Sequence, residues 1–161
     1  MRYRFLLVLL LISTSIVQAQ KLEKNAEGIY EYQEVVEVKS KPASEIYTKA
    51  LEWIALNYES SNDVIQLTDP DQNLIIGKGV FLVTLFLKTG EIRHTLKIEA
   101  RDGRFRVTFD RFSYYSSGSG EILFEDRMAG KKKIIQQTKD KIVESINSLK
   151  ESILFTEEED W

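Results

Sequence analysis

The chain has 161 residues, no cysteine and a formal net charge of -3, with 43% hydrophobic and 29% charged residues. That length and composition fit one folded domain. The lack of cysteine excludes a disulfide framework and a lipid-anchored amino-terminal Cys, so the core must hold the fold alone.

Met1 to Ala19 opens with Arg2 and Arg4, continues through the apolar run Phe5 to Ile12, and ends on Val17-Gln18-Ala19 before Gln20. A basic start, a short apolar centre and small residues before a break are the parts of a secretory signal peptide, expected to be cleaved after Ala19. The apolar run is too short for a spanning helix and no second one follows, so no transmembrane segment is expected in the mature chain. Cleavage would leave 142 residues, 20 of them basic and 25 acidic, a formal charge of -5. That balance and export to the periplasm or the extracellular space together argue against nucleic acid as a partner.

Residues 20–28 read as a flexible polar leader, and 29–155 as a single domain. Ile29 to Val38 is rich in β-branched and aromatic residues, which predicts a strand. Ser40-Lys41-Pro42 announces a helix, because Pro is tolerated in a first turn where its missing N–H costs nothing. Within Pro42 to Tyr58, the residues Ile46, Tyr47, Ala50, Leu51, Trp53, Ile54 and Tyr58 recur at helical spacing and predict one stripe facing a sheet. Asn62 and Asp63 break the pattern, Val64 to Leu67 is a short strand, and Thr68 to Asn73 is a turn leading through Leu74 to Lys78.

The next stretch, Val80 to Phe112, reads as three antiparallel strands. Asp102-Gly103 is a favoured two-residue hairpin turn, which sets Arg101 opposite Arg104, Ala100 opposite Phe105, Ile98 opposite Val107 and Leu96 opposite Phe109. Thr89-Gly90 is taken as the other corner, setting Leu87 opposite Ile92, Leu85 opposite His94, Val83 opposite Leu96 and Phe81 opposite Ile98. Side chains alternate across a strand, so the two corners together predict a buried face of Phe81, Val83, Leu85, Leu87, Leu96, Ile98, Phe105, Val107 and Phe109. The opposite face then carries Val80, Leu82, Phe86 and Phe112 among polar residues, with Arg93 between Phe86 and Phe112.

Tyr114 to Arg127 has Ser116-Ser117-Gly118-Ser119-Gly120 at its centre and reads as a mobile loop. Lys131 to Leu154 is a long helix, because Ile135, Thr138, Ile142, Ile146, Leu149 and Ile153 follow at three or four residues. Residues 156–161 are an acidic tail.

Tyr47-x-x-Ala50-x-x-Trp53 on the first helix, followed by Ile75-Ile76-Gly77-Lys78-Gly79 entering the meander, resembles domain of unknown function 4468, a family of exported bacterial proteins with a TATA-binding-protein-like (TBP-like) fold. The resemblance covers Tyr30 to Leu154. It implies an α+β architecture of order β-α-β4-α, a curved antiparallel five-stranded sheet with two helices on one face. The matching residues are core and turn positions, so no catalytic residue is implied, and fold-level kinship to DNA binders does not fix function.

The residues with chemical potential each have a plainer reading. His94 is the one histidine and falls on the core side, where a local hydrogen bond would satisfy it; no Cys or second His exists to complete a familiar catalytic constellation. Asp69-x-Asp71-x-Asn73 copies the start of a calcium loop, but Leu74 and Val80 stand where Gly and Glu are needed, so a polar turn is expected and no metal. Gly77-Lys78-Gly79 echoes a phosphate loop without its upstream Gly, and a strand follows where a helix should begin, so a strand bend explains the glycines better. Lys131-Lys132-Lys133 at a helix start could hold an anion, or could be a solvated charged turn.

The remaining constellation is Leu82, Phe86 and Phe112 framed by Arg93, Lys97 and Arg106, a mixture that protein interfaces concentrate. The expected function is therefore an exported, non-catalytic module without a cofactor, binding a protein or other envelope component through the helix-free sheet face. The alternative is a carrier gripping a small apolar ligand between the carboxy-terminal helix and the sheet. An enzyme is not expected, because no paired acid-base arrangement is visible.

Overall fold

The computed structural model of the protein describes residues 21–58, 64–118 and 120–155. The expected signal peptide (1–19) and the expected acidic tail (156–161) lie outside these residues. In chain order the elements are β1 (Glu23–Lys24), β2 (Tyr30–Glu37), α1 (Ala43–Asn57), β3 (Ile65–Asp69), β4 (Leu74–Leu85), β5 (Lys88–Arg101), β6 (Arg104–Ser116), β7 (Gly120–Leu123) and α2 (Lys131–Leu154). They form one antiparallel sheet of order β1-β2-β6-β5-β4-β3, with β7 paired to β6. Both helices pack on one face, as expected. The sheet has seven described strands where five were predicted, because Glu23–Lys24 of the leader pairs with β2 and Gly120–Leu123 pairs with the end of β6.

The β5–β6 hairpin is the part the sequence predicts best. Asp102-Gly103 is its turn, and Arg101 faces Arg104, Ala100 Phe105, Ile98 Val107 and Leu96 Phe109. Gly103 has φ +74°, which glycine adopts without Cβ strain. The same corner starts α1. Pro42 occupies the N-cap without a side-chain cap, and the Asp102 carboxylate accepts the Ala43 N–H at 2.9 Å. A carboxylate at a helix amino end also opposes the partial positive charge there.

The β4–β5 corner is a correction. The turn is Phe86-Leu87, with φ of 49° and 65°, and Leu85 pairs with Lys88, Val83 with Gly90 and Phe81 with Ile92. Leu87 is accordingly 99% exposed, not buried. Gly90 has a different duty: a Cβ there would sit 2.4 Å from Cε2 of Tyr114, whose ring lies against the bare glycine. The true corner is displaced by three residues, which changes the pairing sum by an even number, so odd residues of β4 and even residues of β5 still face the helices. Bulky side chains at positive φ cost about 1 to 2 kcal/mol per residue, so this turn holds strain that Asn-Gly would relieve.

A second correction lies in β6. Thr95 pairs with Asp110, but Arg93 pairs with Ser113, so Arg111 and Phe112 together oppose His94. Arg111 has φ 53°, the sign of a bulge. One extra residue reverses the alternation, and Phe112 and Tyr114 turn into the core. Phe112 stacks on Phe124 with ring centroids 5.3 Å apart. It is therefore not part of the helix-free face.

Ile46, Ala50, Trp53 and Ile54 bury the stripe of α1, and Ile134, Thr138, Ile142, Ile146, Leu149 and Ile153 that of α2, with Ile134 in the place expected for Ile135. Trp53 Nε1 donates to Ser148 Oγ at 2.9 Å and joins the helices. Phe112→Ser should lower unfolding free energy by about 3 to 5 kcal/mol in a denaturant titration, as deletion of a buried ring does. Phe86→Ser, at an exposed tip, should change it by less than about 0.5 kcal/mol.

Candidate functional site

On the helix-free face the expected cations are present but engaged. Arg106 forks onto Glu99 at 2.8 and 2.7 Å, and Lys97 reaches the same carboxylate at 3.2 Å. The Arg106 hydrogen bonds hold the Glu99 carboxyl below its ordinary range, against the opposing effect of burial. Arg93 lies 4.5 Å over the Tyr115 ring and pairs with Glu91 at 3.2 Å and Glu121 at 3.9 Å. Exposed pairs of this kind contribute little to stability. Their effect here is to leave the face electrically balanced and without an apolar centre.

Phe86 is not beside Arg93, since Val80 and Ser113 flank that arginine in the ladder. Leu82 and Val80 are exposed, but both belong to the rim. β3 pairs with β4 only as far as Gly77, so among the described residues no strand lies along the outer side of Lys78 to Leu85. At the far end of that stretch the Gln137 carboxamide accepts the Thr84 N–H at 2.9 Å and donates to the Thr84 C=O at 3.0 Å. One side-chain amide thus occupies the place of a neighbouring strand's peptide group. In an antiparallel strand the outward N–H and C=O recur every second residue, so those of Leu82 and Val80 point the same way as those of Thr84. Beside them a cleft of about 380 Å³ is lined by Trp53, Asn57 and Tyr58 of the α1 end and by Lys141, Glu144 and Ser148 of α2.

His94 lies beneath the sheet on the core side, as expected. It is 3% exposed and stacked on Phe81 at 4.2 Å. Nδ1 lies 3.4 Å from the Ile92 carbonyl oxygen, whereas Nε2 has no partner. The expected local hydrogen bond therefore satisfies one nitrogen only. A Cβ on Gly79 would stand 2.5 Å from Nε2 and 3.3 Å from the Tyr58 hydroxyl, so that glycine admits both rings. Burial drives the His94 pKa down to about 4, with the Ile92 carbonyl opposing, and burial also pushes Tyr58 up to about 12. A neutral imidazole enclosed by Phe81, Phe109 and Phe112 is a core residue.

The other chemical motifs have structural duties. Asp69 accepts the Gln72 N–H at 3.1 Å and its side-chain amide at 2.8 Å, which makes the acidic stretch a turn. Gly77-Lys78-Gly79 lies inside β4. Among the described residues no group of three His, Asp or Glu side chains converges to hold a metal. Lys131 donates to the Asp126 carbonyl at 3.1 Å and lies 5.1 Å over the Tyr30 ring. Sequence reasoning missed Gln137, Leu87 and Tyr115. The first two are visible only once the β4 edge and the turn are placed, and Tyr115 required the bulge.

Two helices on one face of this antiparallel sheet define an α+β domain of the TBP-like class. The chain belongs to the family described as "Domain of unknown function (DUF4468) with TBP-like fold", which matches residues 32–115. A DUF4468 family protein from Bacteroides ovatus is similar in structure, with a TM-score of 0.67 and 12% identity over 88% of this chain and 94% of that one. A TBP-like protein from Parabacteroides distasonis has a TM-score of 0.63 and 12% identity over 80% of this chain and 97% of that one. No curated protein matches the chain. These likenesses establish the fold and the family, and the family carries no assigned activity.

His94 makes stability depend on pH. Its folded-state pKa of about 4 lies below the ordinary 6.5, so the unfolded chain takes up the proton first. Stability should fall by up to about 1.4 kcal/mol per unit as pH drops through that window. Chemical denaturation of the wild type and His94→Leu between those limits checks this, and the substitution should flatten the slope.

Proposed function

We propose that the protein is an exported, non-catalytic binding module whose protein partner adds an extended segment to the outer rim of β4 at Val80 and Leu82, along which no described strand lies. One observation carries the reading: the Gln137 carboxamide bonds both backbone groups of Thr84 as a neighbouring strand would, while Val80 and Leu82 continue the same rim with exposed apolar side chains. Strand addition takes affinity from main-chain hydrogen bonds and selectivity from alternate side-chain contacts. The cleft between α1 and α2 would receive those side chains. This shifts the docking surface from the centre of the helix-free face, where Lys97 and Arg106 are held by Glu99, to its border at Leu82.

Support for a non-catalytic role comes from the occupied state of the candidate groups. His94 is buried and neutral, Asp69 holds a turn, and Arg93 is bound to Glu91 and Tyr115. The ligand-carrier reading gains no support, because Ile134, Thr138, Ile142, Ile146, Leu149 and Ile153 already fill the space beneath α2. Export rests on the pattern of Met1 to Ala19.

A photo-reactive residue at position 82 in cells that export the protein should yield a cross-linked adduct, and one at Gln33 on the helix-free face should not. Leu82→Lys should abolish partner capture while changing stability by less than about 0.5 kcal/mol. Equal adducts at both positions, or capture unaffected by Leu82→Lys, would contradict the rim as the docking surface. Amino-terminal sequencing of the exported protein should begin at Gln20, and an intact Met1 would contradict cleavage.

A further inference from the structure

A separate surface lies at the tip of the β4–β5 hairpin. Phe86 and Leu87 hold both central positions of its turn at positive φ, positions that favour Asn and Gly. Their side chains are 72% and 99% exposed. A stable hairpin does not require apolar residues there, and no other part of the described chain covers Leu87.

The tip shares its end of the molecule with the start of α2. A Cβ on Gly130 would meet Leu85 Cδ1 at 2.5 Å, and Phe86 and Lys88 line one depression with Met128 and Ala129. The neighbouring charges are strongly one-sided. Lys88, Arg127, Lys132 and Lys133 are exposed, and the first turn of α2 contains no acid. Of the two carboxylates in the segment that leads into α2, Glu125 accepts the Tyr30 N–H, which leaves Asp126 as the exposed one. The chain as a whole is negative, so this cationic excess is local. Lysines at a helix amino end oppose the dipole, and bulky residues oppose the turn, so two locally unfavourable choices coincide at one place.

We propose that this end docks on an anionic lipid bilayer, with Phe86 and Leu87 entering the headgroup boundary and Lys88, Lys132 and Lys133 facing lipid phosphates. A protruding apolar tip ringed by cations suits a deformable apolar medium with a negative surface better than a preformed protein pocket. No described helix is long and apolar enough to cross a membrane, and the proposed insertion is made by the tip alone.

The absence of cysteine permits a single label. In the exported chain, Leu87→Cys carrying an environment-sensitive dye should shift to the blue with vesicles of phosphatidylglycerol and phosphatidylethanolamine, and not with phosphatidylcholine alone. The same dye on Gln33→Cys should stay in water. Phe86→Asn with Leu87→Gly should fold with an equal or higher Tm yet bind those vesicles about tenfold more weakly in sedimentation. Lys132→Glu with Lys133→Glu should weaken binding about tenfold, and high salt should release the wild type. No blue shift, equal binding to neutral vesicles, or tip variants that sediment like the wild type would overturn the proposal and leave the tip to a protein contact.

Discussion

The bulge at Arg111 is the constraint on which the rest of the structure depends. Up to Asp110 the alternation of β6 follows the Asp102-Gly103 corner. One residue in the left-handed region then reverses it, sending Phe112 and Tyr114 inward and Ser113 and Tyr115 outward. Inward, Phe112 stacks on Phe124 and so fixes the return from β7, while Tyr114 covers Gly90. Outward, Tyr115 supplies the ring on which Arg93 rests, and Ser113 donates to Glu121 at 2.6 Å. Without the phase reversal the core would lose two rings at this end, and the outer face would gain two apolar side chains.

Much of this was legible in the sequence, and the misreadings have physical causes. The helices announced themselves through apolar residues at three- and four-residue spacing, and the Asp-Gly corner through the positive φ it must supply. Thr89-Gly90 misled because glycine serves two purposes: it can permit a turn, or it can make room for a neighbour, as Gly90 does for Tyr114. Phe86-Leu87 carries no turn signal at all, since the residues there work against the conformation they adopt. For β6 a signal did exist. Phe109, Phe112 and Tyr114 cannot share one face of a regular strand, and the change of phase between Phe109 and Phe112 marks the bulge. Serine and glycine at 116–120 suggested a loop because they lack strand propensity, yet pairing to an existing edge was enough to order Gly120–Leu123.

The candidate surface was legible in its residue types more than in its geometry. Arg93, Lys97 and Arg106 do lie outside the core, but each has a carboxylate within reach, because the two-residue repeat of β5 puts Glu91 beside Arg93 and Glu99 beside Lys97, and pairing with β6 sets Arg106 opposite Glu99. Cross-strand charge pairs are a cheap way to cover an open sheet face, and a face so covered offers little desolvation gain to a partner. The unspent apolar area therefore accumulates where pairing stops. Val80 and Leu82 lie where, among the described residues, β4 has no partner strand on its outer side, and Phe86 and Leu87 at its end.

α2 explains why these two places stay distinct. Its apolar stripe fixes it against the sheet, and with that docking settled Gln137 falls opposite Thr84. A carboxamide can satisfy one donor and one acceptor but cannot continue as a strand, so it closes the rim between Leu82 and the hairpin tip. An incoming extended chain could pair along Val80 and Leu82 and would have to stop or displace Gln137 before reaching Phe86. An exposed edge is otherwise a template for self-association, and a side-chain amide at its end limits the register in which copies could align. The helix that completes the core thereby separates a rim suited to backbone pairing from a tip that offers only side chains.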